Sequence, residues 1–219
     1  MINNVLEKFG IYDIVAVLLS GICICTFSLA VDQLLFGSRF SSLLSTDNAI
    51  SFFVISYFIG LLFQEIGSLF YRKFINKKNR ILLNALDTSK KSSHQLLTKE
   101  EKEAVHQIVR AELCLEEEAN IEILYNYCKF YLISTGNTAK IDKDQSIAAM
   151  SRSLSIYFLF LFFYILFVAI SEKSTIYILW SALSLVLFFV FLSRSKRFCV
   201  LRYIYVFRYF LYNFSRNPK

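Results

Sequence analysis

The run Ala49–Phe70 constrains this chain more than any other stretch. It reads AISFFVISYFIGLLFQEIGSLF, and at about 1.5 Å per residue a helix of that length crosses a hydrocarbon core of roughly 30 Å. Gln64 and Glu65 stand near its far end. A charged group there costs on the order of a few kcal/mol unless it faces protein or water. Ser56, Gly60, Gln64 and Gly67 recur at helical spacing, so one stripe is small or polar, and Phe53, Ile55, Phe58, Leu62 and Leu69 lie opposite. The pattern predicts a helix that packs its stripe on other helices and turns its bulk to lipid. Glu65 reads either as a satisfied carboxylate of a structural helix or as part of a polar path or switch. Arg72, Lys73, Lys77, Lys78 and Arg80 follow and set that end in the cytoplasm.

Composition agrees with a membrane solvent. Of 219 residues 56% are hydrophobic and 17% aromatic, with a single proline, more than a soluble core of this size needs. The start MINNVLEKFG has no basic stretch followed by a small-residue cleavage site, so the first helix is expected to be retained. The net charge of +7 is gathered after the second span and in the C-terminal tail, where it serves topology and anionic headgroups. Cys23, Cys25, Cys114, Cys128 and Cys199 form an odd set without a CxxC pair, which supports neither a disulfide framework nor a zinc site.

Three further spans are expected, at Ile11–Leu35, Leu154–Ile170 and Thr175–Ser193. In the first, Asp13, Val17, Gly21, Cys25, Ser28 and Asp32 share a face that is polar at both ends and small between. The small stripes of spans one and two exceed what one helix pair needs, so self-association through them is expected. The third span has almost no polar stripe, which suits lipid or a seam between subunits; the fourth carries Ser181 and Ser184 inside and Trp180 near its outer end. The connections Gly37–Asn48, with Arg39, and Ser171–Ser174 hold few basic residues, whereas the long loop and both termini hold the excess. That asymmetry predicts both termini in the cytoplasm.

Between spans two and three, Arg72–Ser151 begins basic and turns acidic. Thr98-Lys-Glu-Glu101 is a capping-box pattern, followed at helical spacing by Ala104, Val105, Ile108, Val109, Leu113 and Leu115. Ile121, Leu124, Tyr125, Cys128 and Tyr131 mark a second apolar face, Ser134–Thr138 a turn, and Asp142 with Gln145 another cap. Two or three short helices of this size cannot bury a large core alone. In the tail Arg194, Lys196, Arg197, Arg202 and Arg208 interleave with Phe198, Tyr203, Tyr205, Phe207, Tyr209 and Phe210. An interfacial helix is the first reading, with the arginines on lipid or a partner, and an extension of span four the second. No nucleic-acid-reading module is present, so direct binding to nucleic acid is not expected.

The fold class expected is therefore an all-α integral membrane protein, with four transmembrane helices and a helical cytoplasmic insert between the second and third. Its parts are a first hairpin (1–71), the insert (72–151), a second hairpin (152–193) and the tail (194–219). Arg152 lies at the cytoplasmic level of Glu65 and Asp13, and a Glu65–Arg152 pair tying span two to span three is expected. The intramembrane polar set is then Asp13, Asp32, Gln64, Glu65 and Arg152; Gly21, Ser56, Gly60 and Gly67 serve helix packing. His94 and His106 have no metal-ligand companions at a useful spacing, and neither follows an arginine at the interval a HEPN-type ribonuclease requires. No phosphate-cradling glycine motif occurs. Glu116–Glu118 read as a solvated helix face rather than a calcium site, lacking EF-hand spacing. No enzyme activity, metal or cofactor is expected.

Tyr12-Asp13 at the start of span one, Leu18-Leu19-Ser20-Gly21 after it, four spans and a helical insert together resemble the KwaA family, the membrane subunits of the Kiwa anti-phage defence system. The small membrane accessory proteins of type VI-B CRISPR loci are the second resemblance. The likeness covers the whole chain in architecture, on one short motif. It implies a homo-oligomer, a tetramer, in the bacterial inner membrane that senses infection and works with a soluble DNA-binding KwaB-like effector; it brings no catalytic residues. The function classes are thus a sensor or scaffold recruiting a cytoplasmic effector, or an oligomeric pore lined by Asp13, Asp32 and Glu65 that depolarises the membrane. A small transporter is disfavoured by the lack of an inverted repeat.

Overall fold

The computed structural model describes residues 13–36, 49–75, 97–114, 120–136 and 138–216. Most of these residues are helical, with no strand among them. A π-helical stretch, Asp13–Leu19, leads into α1 (Ser20–Phe36), and α2 (Ala49–Phe70) ends in a second one, Tyr71–Ile75. Then follow α3 (Lys99–Leu113), α4 (Ile121–Ser134), α5 (Ala139–Glu172) and α6 (Thr175–Arg216). Four of these segments, those containing α1, α2, α5 and α6, are long and apolar enough to cross a membrane. The connection at Gly37–Asn48, the basic run from Lys77 to Lys91, His94 and Glu116–Glu118 lie outside the described residues.

The chain divides into two compact units, Met1–Ile75 with Ser146–Lys196, and Asn76–Gln145 with Arg197–Lys219. In the first, the small stripes of α1 and α2 face each other. A Cβ added at Gly21 would overlap the Ser56 carbonyl, and one at Gly60 the Val17 carbonyl. Close backbone approach of this kind is what small residues give a helix pair where lipid supplies no hydrophobic drive. Ser20 donates to the carbonyls of Ala16 (2.7 Å) and Val17 (2.8 Å), in the π-helical stretch where the regular bonding pattern shifts. The two stripes pair with each other inside the protomer, each glycine meeting the backbone of the neighbouring helix.

The third span departs from expectation on one side only, since Phe160, Phe163, Phe167 and Ile170 stay exposed. It was read as lipid-facing or as a seam between subunits, yet Leu154, Ile156, Tyr157, Phe158, Ile165 and Ala169 of α5 are buried. Phe158 stacks on Phe191 at 5.5 Å and meets Phe27 edge-on, while Tyr157 meets Phe63 edge-on. The Tyr157 and Ser28 hydroxyls are hydrogen-bonded at 3.0 Å. A helix that is apolar all round needs no polar stripe to be central. Ser195 donates to the Ala148 carbonyl at 3.1 Å, joining α6 to α5 in the same unit. Ser181 and Ser184 are buried and satisfied by carbonyls of their own helix.

The second unit is built from α3, α4, the start of α5 and the end of α6. The capping box forms as expected: Glu101 N–H donates to Thr98 Oγ1 (3.1 Å) and Thr98 N–H to Glu101 Oε2 (2.8 Å). Val105, Val109, Leu124, Cys128 and Leu132 are buried, whereas Leu113 is exposed. The tail supplies the remaining core. Residues 194–216 form no separate interfacial helix; they continue α6 without a break, and Tyr203, Phe207 and Phe210 are buried. Their rings meet those of α4 edge-on, Tyr125 with Tyr203 at 5.0 Å and Tyr131 with Phe210 at 5.2 Å. Aromatic pairs favour such geometry, so the rings that looked suited to headgroups find protein partners. The second cap differs as well. Helix α5 begins at Ala139, and Asp142 N–H donates to the Thr138 carbonyl at 2.9 Å, which places Asp142 within the first turn.

Candidate functional site

Two sets of residues carry the chemistry, one in each unit. In the first unit, α2 crosses α5 at Gly67, where an added Cβ would come to 3.3 Å from the Arg152 carbonyl carbon and oxygen. The Arg152 guanidinium lies over the Tyr71 ring, 5.3 Å from its centroid. A cation over an aromatic face is held at about 0.5–1 kcal/mol where exposed and more when desolvated. The expected Glu65–Arg152 pair does not form, and helix geometry explains why. Glu65 precedes Gly67 by two residues, about 200° around an α-helix, so a helix that turns Gly67 to α5 turns Glu65 away. Glu65 is exposed, and it makes no hydrogen bond or ion pair with a described residue. Gln64, three residues from Gly67, stays on the inner side and is half-buried. That Arg152 lies beside the Gln64–Gly67 turn of α2 was legible from counting residues; which side chain of that turn it meets was not.

Of the other intramembrane polar residues, Asp32 of α1 is buried, 5% exposed, and Asp13 starts the π-helical stretch. A path within one protomer lined by Asp32 and Glu65 together is therefore not formed: one is enclosed and the other faces outward. Gly21, Ser56, Gly60 and Gly67 are all buried at helix crossings.

In the second unit, Glu101 serves two partners. Besides closing the capping box it accepts from Arg208 Nε at 3.0 Å and Nη2 at 3.4 Å, tying α3 to the end of α6. Arg202 donates to Gln145 Oε1 at 3.3 Å and lies 4.9 Å from the Tyr203 ring centroid. Lys140 sits over the Tyr205 ring at 4.1 Å. Arg202 and Arg208, read from the sequence as lipid or partner contacts, thus hold this unit together, and Arg194, Lys196 and Arg197 remain exposed. Tyr127 Oη donates to Glu112 Oε2 at 3.4 Å, joining α4 to α3. Burial pushes the Cys128 thiol well above its ordinary range and the Tyr125 phenol upward too, so both stay protonated at physiological pH. His106 is half-buried beside a small apolar hollow lined by Leu97, Val105, Leu124 and Phe207.

Sequence reasoning missed the outer face of α4. While Leu124, Cys128 and Leu132 point inward, Ile123, Phe130 and Ile133 are 45%, 74% and 53% exposed on the other side. A helix apolar on both sides has little amphipathic contrast, so periodicity marks its core face and hides the second. Among the described residues, no group of three His, Cys, Asp or Glu side chains has a metal-holding arrangement, and all five cysteines are free thiols. No protein-family model matches the chain, and neither a curated protein nor a solved structure does.

Proposed function

We propose that the chain is a multi-pass membrane scaffold of a bacterial defence system, whose second unit, on the cytoplasmic side, recruits a soluble effector. One observation carries this reading: the insert and the C-terminal end of α6 make a compact unit, and that unit presents Ile123, Phe130 and Ile133 outward. A module outside the bilayer gains nothing from exposed Phe and Ile on a helix unless a partner covers them. The defence setting comes from the resemblance of the first span's start and of the architecture to the Kiwa membrane subunits.

The test is plating of phage on cells carrying the chain with its neighbouring genes. An anchor of this kind is worth about 2 kcal/mol or more, or roughly thirtyfold in affinity. The double change Phe130→Asp and Ile133→Asp should therefore abolish protection while leaving the amount in the membrane unchanged. Protection that survives both changes would overturn recruitment through this face. Orientation is checked separately in a cysteine-free background. Ser92→Cys should resist an impermeant thiol reagent in intact spheroplasts, and Ser42→Cys should react. Labelling of the first from outside would reverse the topology.

A further inference from the structure

Where α2 and α5 cross, the half-buried Arg152 carries a charge that no described residue balances. Helix α2 approaches α5 through Gly67, and the Arg152 side chain runs one turn further along α2 to the Tyr71 ring, 5.3 Å from its centroid. It thus extends toward the basic end of α2, as a long cationic side chain does to leave hydrocarbon. The 22 residues of α2 span roughly 33 Å, about the thickness of a bilayer core. Tyr71 follows the last of them, so the guanidinium rests at headgroup depth. There the π-helical end of α2 buries Tyr71 and leaves Arg72, Lys73 and Phe74 exposed. Arg72 and Lys73 also have no acidic partner among the described residues.

We infer that Arg152, with Arg72 and Lys73, binds the phosphate of an anionic phospholipid headgroup where the end of α2 meets α5. A half-buried guanidinium needs a counter-charge and acceptors for its five N–H donors. The Tyr71 ring attracts the cation but supplies neither. Glu65, the nearest acid of α2, is turned away from α5. A phosphodiester supplies both, because a guanidinium grips two of its oxygens at once. The headgroup layer holds that group at this depth, and basic sites between membrane helices suit it. Three cations with no acid among them favour a headgroup of net negative charge, since a zwitterionic one brings its own ammonium. Phe74 flanks the cations, 5.7 Å from the Lys73 ammonium and 4.9 Å from the Phe70 ring, as aromatic residues do at the membrane interface. The inference rests on α2 and α5 crossing the membrane and is independent of effector recruitment.

The experiment reconstitutes the chain in vesicles of equal parts phosphatidylglycerol and phosphatidylcholine, extracts it in mild detergent and counts retained lipids by native mass spectrometry. The wild-type chain should retain phosphatidylglycerol roughly fivefold or more over phosphatidylcholine, and Arg152→Gln should remove most of that preference, the scale set by one cation at a membrane surface. Arg152→Lys keeps the charge without the planar fork and should fall between the two. Lys196→Gln removes an exposed cation of α6 and should leave the preference unchanged. Equal retention of the two lipids by the wild-type chain, a measurement that needs no variant to fold, would overturn the inference. So would equal losses in Arg152→Gln and Lys196→Gln, or displacement of the retained phosphatidylglycerol by inorganic phosphate, which would assign the site to a soluble anion. Release of the chain from membranes by alkaline carbonate would instead remove the membrane reading, and this inference with it.

Discussion

Gly60→Leu should abolish the native first unit. A Cβ at Gly60 would overlap the Val17 carbonyl, and the reciprocal site, Gly21, would overlap the Ser56 carbonyl. Both obstacles are backbone, which cannot swing aside as a side chain does. Overpacking a core commonly costs about 1–3 kcal/mol through shifted side chains; parting two helices that touch at two glycines forfeits their whole contact, and the expected loss is roughly 3 kcal/mol or more. The thermal midpoint in mild detergent should collapse. Gly136→Ala makes a useful contrast, since Gly136 has φ +71° and nothing within 4 Å. There only left-handed strain is at issue, about 1–2 kcal/mol. Should Gly60→Leu keep the wild-type midpoint, α1 and α2 do not pack as described.

Phe210→Ala should open the second unit. Phe210 is fully buried and touches Tyr127, Tyr131 and Phe214, with ring centroids 5.9, 5.2 and 5.6 Å away. Removing a buried phenylalanine costs about 3–5 kcal/mol. Cys128 gives the readout, because it too is fully buried and its thiol is held neutral by that burial. Maleimide labelling of Cys128 requires local opening, and its rate should rise about a hundredfold or more in the variant. The free thiol Cys114 is exposed and should label at an unchanged rate. If Cys128 labels no faster, the end of α6 is not part of that core.

Much of the candidate site was legible in part. The capping box at Thr98 and Glu101 could be read directly, since it depends on residues three apart. The second role of Glu101 could not be, because Arg208 is 107 positions away and nothing local marks it. The arginines of the tail illustrate the same limit. Their interleaving with aromatic rings has one appearance at a headgroup surface and the same appearance in a packed helical unit, since both environments accept a ring with a cation at its edge. Arg152 was placed beside the right turn of α2 and given the wrong partner, because position along a helix follows from counting residues whereas partner choice follows from the angle about its axis.

The sequence by itself determined the helices, the four runs long enough to cross a bilayer, and the small and polar positions on each of them. Length, hydropathy and period are local properties, and a backbone without water must satisfy its own hydrogen bonds. Only the tertiary structure decided which faces meet. The glycine stripes of α1 and α2 turned toward each other, the featureless α5 became the centre of the first unit, and the end of α6 completed the second. Apolar side chains carry no instruction about which apolar surface to join. That choice rests on shape, the fit of glycine to carbonyl and ring edge to ring face, which exists only once distant segments are side by side.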